Sequence, residues 1–347
     1  MKEVTEVTNC PITGDSDRFT YIDLGLMPLV NNLSTTREES INCKRYPLTV
    51  QYFKKSKLSC LTENVDPNLM FSQYAYKSGV VKAFAKHCEE MYGFVNTYLS
   101  LKAGDKVLDI GGNDGTLLQT FLKKNSELDV LNVDASKNLT KLSEAKGVPT
   151  YNAFWGVEVY FYLLEPLKQL VEKFGLRIIK VIPQSIHGGS LRLLISHTGD
   201  LGEAWQPCWG VDMAIESEQT ITEEYYRKWG SIIEKHISDS NEFLKSIKKD
   251  NKKIFGFGAA AKGCIFLNSA KIDHNILDVV IDDTDLKQEK FIPGTGIQIK
   301  SREYLKNNKP DYILILAHNF KDVIIDSLRN DGYDGKFIIL FPTITIE

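Results

Sequence analysis

The feature that most constrains what this chain can fold into is Val107–Leu118, Val-Leu-Asp-Ile-Gly-Gly-Asn-Asp-Gly-Thr-Leu-Leu. An apolar run that stops at a glycine-rich turn and resumes as an amphipathic segment spells strand, tight turn and helix start, the opening of a βαβ unit. Gly111 and Gly112 can take backbone angles closed to other residues. Without Cβ atoms they also let a ligand lie against the main chain. Leu128–Val133 reads as the second strand, and Asp134 stands just past its end. An acid there can accept hydrogen bonds from both ribose hydroxyls of a nucleoside.

Two ligands compete for this turn. A dinucleotide wants Gly-x-Gly-x-x-Gly, so that its pyrophosphate sits on the helix N-terminus. Here the run is Gly-Gly-Asn113-Asp114-Gly, and an acid at the mouth repels phosphate and suits a cation. S-adenosylmethionine (SAM) carries a sulfonium and an ammonium and no phosphate, so it fits better than NAD. A ligand-free βαβ unit, whose glycines only make the turn, is the third possibility.

At 347 residues the chain is long enough for two or three domains with proper cores. A formal charge of −3 gives no global basic field, so neither nucleic acid nor an anionic membrane is an expected partner. The N-terminal residues lack a signal-peptide apolar core, and no apolar run approaches the ~18 residues of a membrane span. The expected location is the cytoplasm. Six cysteines are scattered without a Cys-x-x-Cys pair, which favours buried thiols over disulfides or a metal site. Nothing in the sequence sets the oligomeric state.

Along the chain, residues 1–70 read as a small irregular module. Residues 71–198 hold a helical lead-in, the glycine turn, a helix over about Leu139–Lys146, another at Leu164–Phe174, and strands Arg177–Ile182 and Leu191–Ser196 that look like a closing hairpin. Residues 199–250 form a connector with a long helix, Ile221–Lys249. Residues 251–347 open with a second glycine turn, Gly256–Gly263. Its strands Leu277–Ile281, Pro310–Ala317 and Lys336–Phe341 alternate with helices as a compact parallel sheet.

Several blocks in this order resemble the SAM-dependent C-methyltransferases that act on nucleotide-linked 4-keto-deoxysugars. They are Leu24–Asn32, Tyr74–Gly79, Asp109–Thr116, Val133–Asn138, His187–Arg192, Gly256–Gly263, Phe291–Thr295 and Ala317–Phe320. The resemblance implies an α/β protein: a zinc module, a Rossmann-like SAM domain, and a second, C-terminal Rossmann-like parallel-sheet domain that helps hold the nucleotide-sugar. It also implies that a base removes the proton beside the keto group and that the resulting enolate takes the methyl group. Tyr76, Asp109, Gly111, Gly112, Asn113, Asp114 and Asp134 are then the cofactor residues. Lys262, Asp282 and Asn319 are the substrate candidates, Lys262 because it can neutralise a diphosphate at a helix N-terminus.

Two departures from the family stand out. Its two Cys-x-x-Cys pairs read here as Cys10-Pro-Ile-Thr13 and Phe53-Lys-Lys-Ser56, so one ligand of four survives and no zinc is expected. The family also has a long stretch after Trp155-Gly156 that supplies two sheet strands and its histidine-rich catalytic pattern. Here Val157–Tyr160 follows at once, although two strands, a helix and loops need roughly sixty residues. The SAM domain is therefore expected to be incomplete. Glu158, Tyr160 and His187 are the remaining candidates for the catalytic role, and each also reads as an ordinary packing or surface residue.

Overall fold

The computed structural model describes residues 3–71, 82–153, 160–184, 190–199 and 209–347. The chain forms two compact units, one of Met1–Val4 with Val65–Glu158, the other of Thr5–Asn64 with Val159–Glu347. Among the described residues no helix is long and apolar enough to cross a membrane.

The first unit is built on three parallel strands in the order Lys106–Ile110, Asp129–Asp134, Thr150–Asn152. Helices Thr116–Lys124 and Lys137–Ala145 make the crossovers. Leu118, Phe121, Leu128, Val130 and Val148 form the core beneath them. Helix Lys82–Leu99 joins this core through Tyr92, whose ring meets Phe121 edge-on at 5.1 Å. Parallel strands ordinarily have both faces covered. Here alternate residues on the opposite face stay open: Leu108 is 50%, Ile110 45% and Leu131 42% exposed. Among the described residues, Lys106–Ile110 is also an edge strand.

In the second unit the N-terminal segment is more regular than its sequence suggests. Arg18–Pro28, Arg45–Phe53 and Leu58–Leu61 form an antiparallel sheet, and Tyr160–Phe161 adds its last strand beside Leu58–Leu61. The long helix Glu223–Lys249 packs on this sheet. Its Gly230 lies so close that a Cβ would meet the Tyr21 carbonyl oxygen at 1.9 Å, and its Tyr226 stacks near Tyr21 and Tyr52 at 4.8 and 4.6 Å. Among the described residues, strands Leu176–Gln184 and Ser190–His197 pair only with each other, not with the three-stranded sheet that the sequence has this hairpin close. Long-range pairing leaves no local signature in the sequence, so which strands a hairpin joins beyond its own partner cannot be read from its two strands.

The C-terminal sheet has six strands, in spatial order Gln298–Lys300, Val279–Ile281, Ile254–Phe257, Tyr312–Ile315, Lys336–Ile339 and Thr345–Ile346. The first five run parallel and the last is antiparallel. Because the chain moves outward from Ile254–Phe257 on one side and then returns to its other side, a topological switch falls between that strand and Tyr312–Ile315. Sheets of this kind bind ligands at such a crevice, beyond the carboxyl ends of the strands.

Candidate functional site

The glycine turn of the first unit is held by three departures from ordinary backbone. Gly111 and Gly115 have φ of 73° and 71°, and Asn113 between them has 54°. Each glycine has a different reason to be there. At Gly111 a Cβ would meet nothing within 4 Å, so the main chain lies open. At Gly112 it would strike Asn132 Oδ1 at 2.1 Å and the Asp109 carboxylate at 2.6 Å, and at Gly115 it would strike Ser143 Oγ at 2.1 Å. Only Gly111 therefore offers the open backbone expected of both Gly111 and Gly112. The other two let strand, turn and helix close on one another.

Asp134 is 8% exposed, and both of its oxygens accept backbone hydrogen bonds: Oδ1 from Ser136 N at 2.8 Å and Oδ2 from Asn113 N at 2.9 Å. Its carboxylate thus clamps the turn to the end of the second strand. Each oxygen keeps a lone pair for a ribose hydroxyl. Asp114, expected at the mouth as a free acid, is instead 3% exposed. Lys146 Nζ sits 2.8 Å from its Oδ2, and Thr116 Oγ1 donates to its Oδ1 at 2.7 Å. Its charge is compensated inside the fold, so Asp114 does not distinguish a cationic ligand from a phosphate. Asp109 is the acid that keeps this capacity. Burial, and then the neighbouring charge of Asp134, hold its carboxyl above the usual range. The same surroundings push the buried Cys88 thiol up to about 11, through burial first and then Asp109 and Asp114.

The C-terminal domain repeats the clamp. Asp282, just past the second strand, takes Ala259 N on Oδ2 at 2.8 Å and Thr284 N on Oδ1 at 2.9 Å. Here a cation joins it, Lys287 Nζ at 3.2 Å, which also donates to Ala259 O at 3.0 Å. Asp283 is bound by the Arg302 guanidinium at 2.6 and 2.9 Å. Of the proposed substrate residues, Lys262 is exposed on helix Ala261–Ser269. Asn319 is exposed on the 3₁₀ turn His318–Phe320. Lys262 and His318 line one cavity of about 510 Å³ whose other walls include Trp229, Ile232, His236, Phe266, Leu340 and Phe341. Sequence reasoning missed His236. Nothing distinguishes it from any other polar residue of a long helix until the partners across the cavity are seen.

Tyr76, Glu158 and His187 lie outside the described residues. Tyr160 lies within them and is a packing residue. Its strand pairs Cys60, and its ring packs on Cys10, Ile12, Phe53, Leu58 and Cys60. Burial raises its phenol, which opposes the ionised form that a catalytic base needs.

The same cluster holds the remains of the expected metal module. The Cys10 thiol lies 3.1 Å from Ser56 Oγ, Phe53 is fully buried beside them, and Gly14 N closes the first turn onto Cys10 O at 2.8 Å. Burial pushes the Cys10 thiol up. Hydrogen bonds from Ser56, Thr13 and the backbone outweigh it and leave the thiol below its ordinary value. One sulfur, two neutral hydroxyls and a phenyl ring are not a donor set for tetrahedral zinc. Among the described residues no group of three or more metal-ligating side chains occurs.

Residues 185–342 match the family described as C-methyltransferase C-terminal domain. The chain is 25% identical to C-methyltransferase NovU of Streptomyces niveus over an alignment of 411 positions, covering 98% of this chain and 96% of that protein. Since this chain has 347 residues, at least 64 aligned positions (411 less 347) have no counterpart in it. Among solved structures, the plantazolicin methyltransferase BpumL with S-adenosylhomocysteine (SAH) aligns at 17% identity over 25% of this chain and 40% of its own, with a TM-score of 0.19. The C-terminal match and the full-length match both make the chain similar to C-methyltransferases.

Proposed function

We propose that the chain binds SAM at the Gly111 turn and takes a nucleotide-linked keto-deoxysugar, and that methyl transfer is slow or lost because the catalytic segment is missing beside Gly156. The observation that carries this is the NovU alignment. It runs the full length of the chain yet leaves at least 64 positions (411 less 347) unmatched, about the size of the segment the family places there. The uncovered face of Leu108, Ile110 and Leu131 and the edge position of Lys106–Ile110 support the same reading, since further strands and their helices would cover both.

The residues of the turn fit the cofactor. Gly111 offers open backbone, Asp134 a carboxylate for the ribose, and Asp109 a negative charge without an ion-pair partner among the described residues. SAM supplies an electrophilic methyl group when bound. Of the three candidate bases only Tyr160 lies among the described residues; it is engaged in packing, and a base works only within hydrogen-bond reach of its proton.

Calorimetric titration with SAH and, separately, with NAD tests the cofactor. SAH heat without NAD heat is expected, and the reverse would refute the proposal. Transfer from radiolabelled SAM to a nucleotide-4-keto-sugar tests competence. Turnover near baseline is expected, whereas robust turnover that collapses in Glu158→Gln would identify a replacement base. A binding protein without catalysis is the second reading, favoured by the same missing segment.

A further inference from the structure

At the glycine turn of the first unit, two side-chain oxygens stand together without a donor between them. Asp109 and Asn132 are cross-strand neighbours where Lys106–Ile110 runs beside Asp129–Asp134. Gly112 lies next to both. A Cβ there would strike Asn132 Oδ1 and would come within 2.6 Å of Asp109 Oδ2, so the two oxygens crowd the single point where a side chain would begin. Asn132 Oδ1 is buried and has no hydrogen-bond partner. Among the described residues, no hydrogen bond or ion pair reaches Asp109 either.

The Asn132 amide cannot escape by turning over. Its Nδ2 donates to Asn113 O at 3.3 Å and to Ser143 Oγ at 3.1 Å, and the reversed amide would aim Oδ1 at the Asn113 carbonyl, a second acceptor. Asn132 is fully buried, so no ligand atom reaches Oδ1 from outside. The donor that fits is a proton held by Asp109 itself, because a protonated carboxyl carries one O–H.

The surrounding charges leave the carboxyl free for that role. Asp134 contributes a like charge from the second strand, and burial adds to it, both favouring the protonated form. Lys146, at the end of helix Lys137–Ala145, is committed to Asp114 at 2.8 Å. Cys88, on helix Lys82–Leu99, has its thiol pushed up to about 11 and stays neutral at pH 7.

We propose that Asp109 and Asn132 form a proton-operated latch beside Gly112. When the Asp109 carboxyl takes a proton from solvent, its O–H donates to Asn132 Oδ1 and ties the first strand to the second at the turn. When the proton returns to solvent, two acceptors oppose each other and the turn loosens. No other bond forms or breaks. The latch needs no ligand. Under the SAM reading it has one consequence: Asp109 offers its charge to a cation only while the latch is open.

The test compares the parent chain with Asp109→Asn and Asp109→Leu by hydrogen exchange, following peptides over 106–134 with those over 254–282 as the internal control. Asparagine supplies a permanent N–H donor toward Asn132 Oδ1, whereas leucine removes the charge and supplies none. At neutral pH, Asp109→Asn is expected to raise protection over 106–134 above the parent, and above Asp109→Leu by about fivefold, the worth of one net hydrogen bond. A group held above its unfolded value stabilises the fold below that value and loses this contribution as pH rises through the folded one. The advantage of Asp109→Asn over the parent should therefore shrink as pH falls toward the ordinary aspartate value of 3.8, where the parent closes its own latch. Equal protection in the asparagine and leucine variants would show that charge relief alone acts and would overturn the proposal. So would protection in Asp109→Asn below the parent, or an advantage that does not shrink on acidification. SAH binding, present or absent, does not bear on these readouts, so failure of the latch and failure of the methyltransferase reading are separable.

Discussion

Asp134→Ala removes the acceptors of two backbone N–H groups, Ser136 at 2.8 Å and Asn113 at 2.9 Å. Ser136 is buried, so water cannot replace the lost partner there, while Asn113 is only half-buried. An orphaned buried donor costs about 1–3 kcal/mol, so the two together should cost about 2–5 kcal/mol. Asp134→Asn is the informative companion. It keeps one carbonyl oxygen and turns the other acceptor into a donor, so it should cost about half as much. Domains have about 5–15 kcal/mol in hand, and a three-stranded unit with one face open belongs near the low end. Native-state hydrogen exchange read by mass spectrometry, following peptides over 106–134 and over 254–282, separates the two units. Protection should fall in the first set in the order parent, Asn, Ala, and stay unchanged in the second. Asp282→Ala should do the reverse and cost more, because it also leaves Lys287 without its carboxylate. Equal effects of Asn and Ala, or a change below about 0.5 kcal/mol in either, would refute the clamp.

Gly115→Ala places a Cβ 2.1 Å from Ser143 Oγ at a φ of 71°, and should destabilise the first unit by more than about 1 kcal/mol. Ser143→Gly in the same chain should restore part of that loss in a urea titration. His318 has a depressed imidazole, so the unfolded chain takes up its proton more readily. Its contribution is present above the ordinary histidine value of 6.5 and is lost as pH falls below it. Thermal unfolding of the second unit should show that slope, and His318→Phe should flatten it. Elemental analysis of the purified protein should find no stoichiometric zinc, and Cys10→Ala should leave the metal content unchanged.

Both glycine turns, the helices that follow them and the parallel C-terminal sheet were legible because each is written in a local pattern of apolar spacing and turn residues. The long helix was legible for the same reason, and its observed start at Glu223 with a Thr222 cap lies close to the expected bound. What was hidden depends on pairing across the chain. Tyr160–Phe161 is too short to announce a strand, and its partners Ser59 and Cys60 lie in a distant segment. The Lys146–Asp114 pair turned an apparent free acid into a buried, compensated one, and the sequence gives each partner no mark of the other. An acid one strand after a glycine turn fits a ribose contact, and Asp134 and Asp282 each also hold their turn through a backbone N–H, which no local pattern announces.

The strand Lys106–Ile110 has a further consequence for how the chain behaves in a crowded solution. A strand with, among the described residues, one unpaired side and two exposed aliphatic residues, Leu108 and Ile110, is a template on which another extended chain can add by main-chain hydrogen bonds. Lys106 at its start and Asp109 within it are the charges that oppose such growth. Because Asp109 holds its proton more tightly than an ordinary aspartate, that protection weakens earlier on acidification than composition alone indicates. Light scattering at rising protein concentration should therefore climb sooner in mildly acidic buffer. A single lysine in place of Ile110 is the change that should keep the chain dispersed.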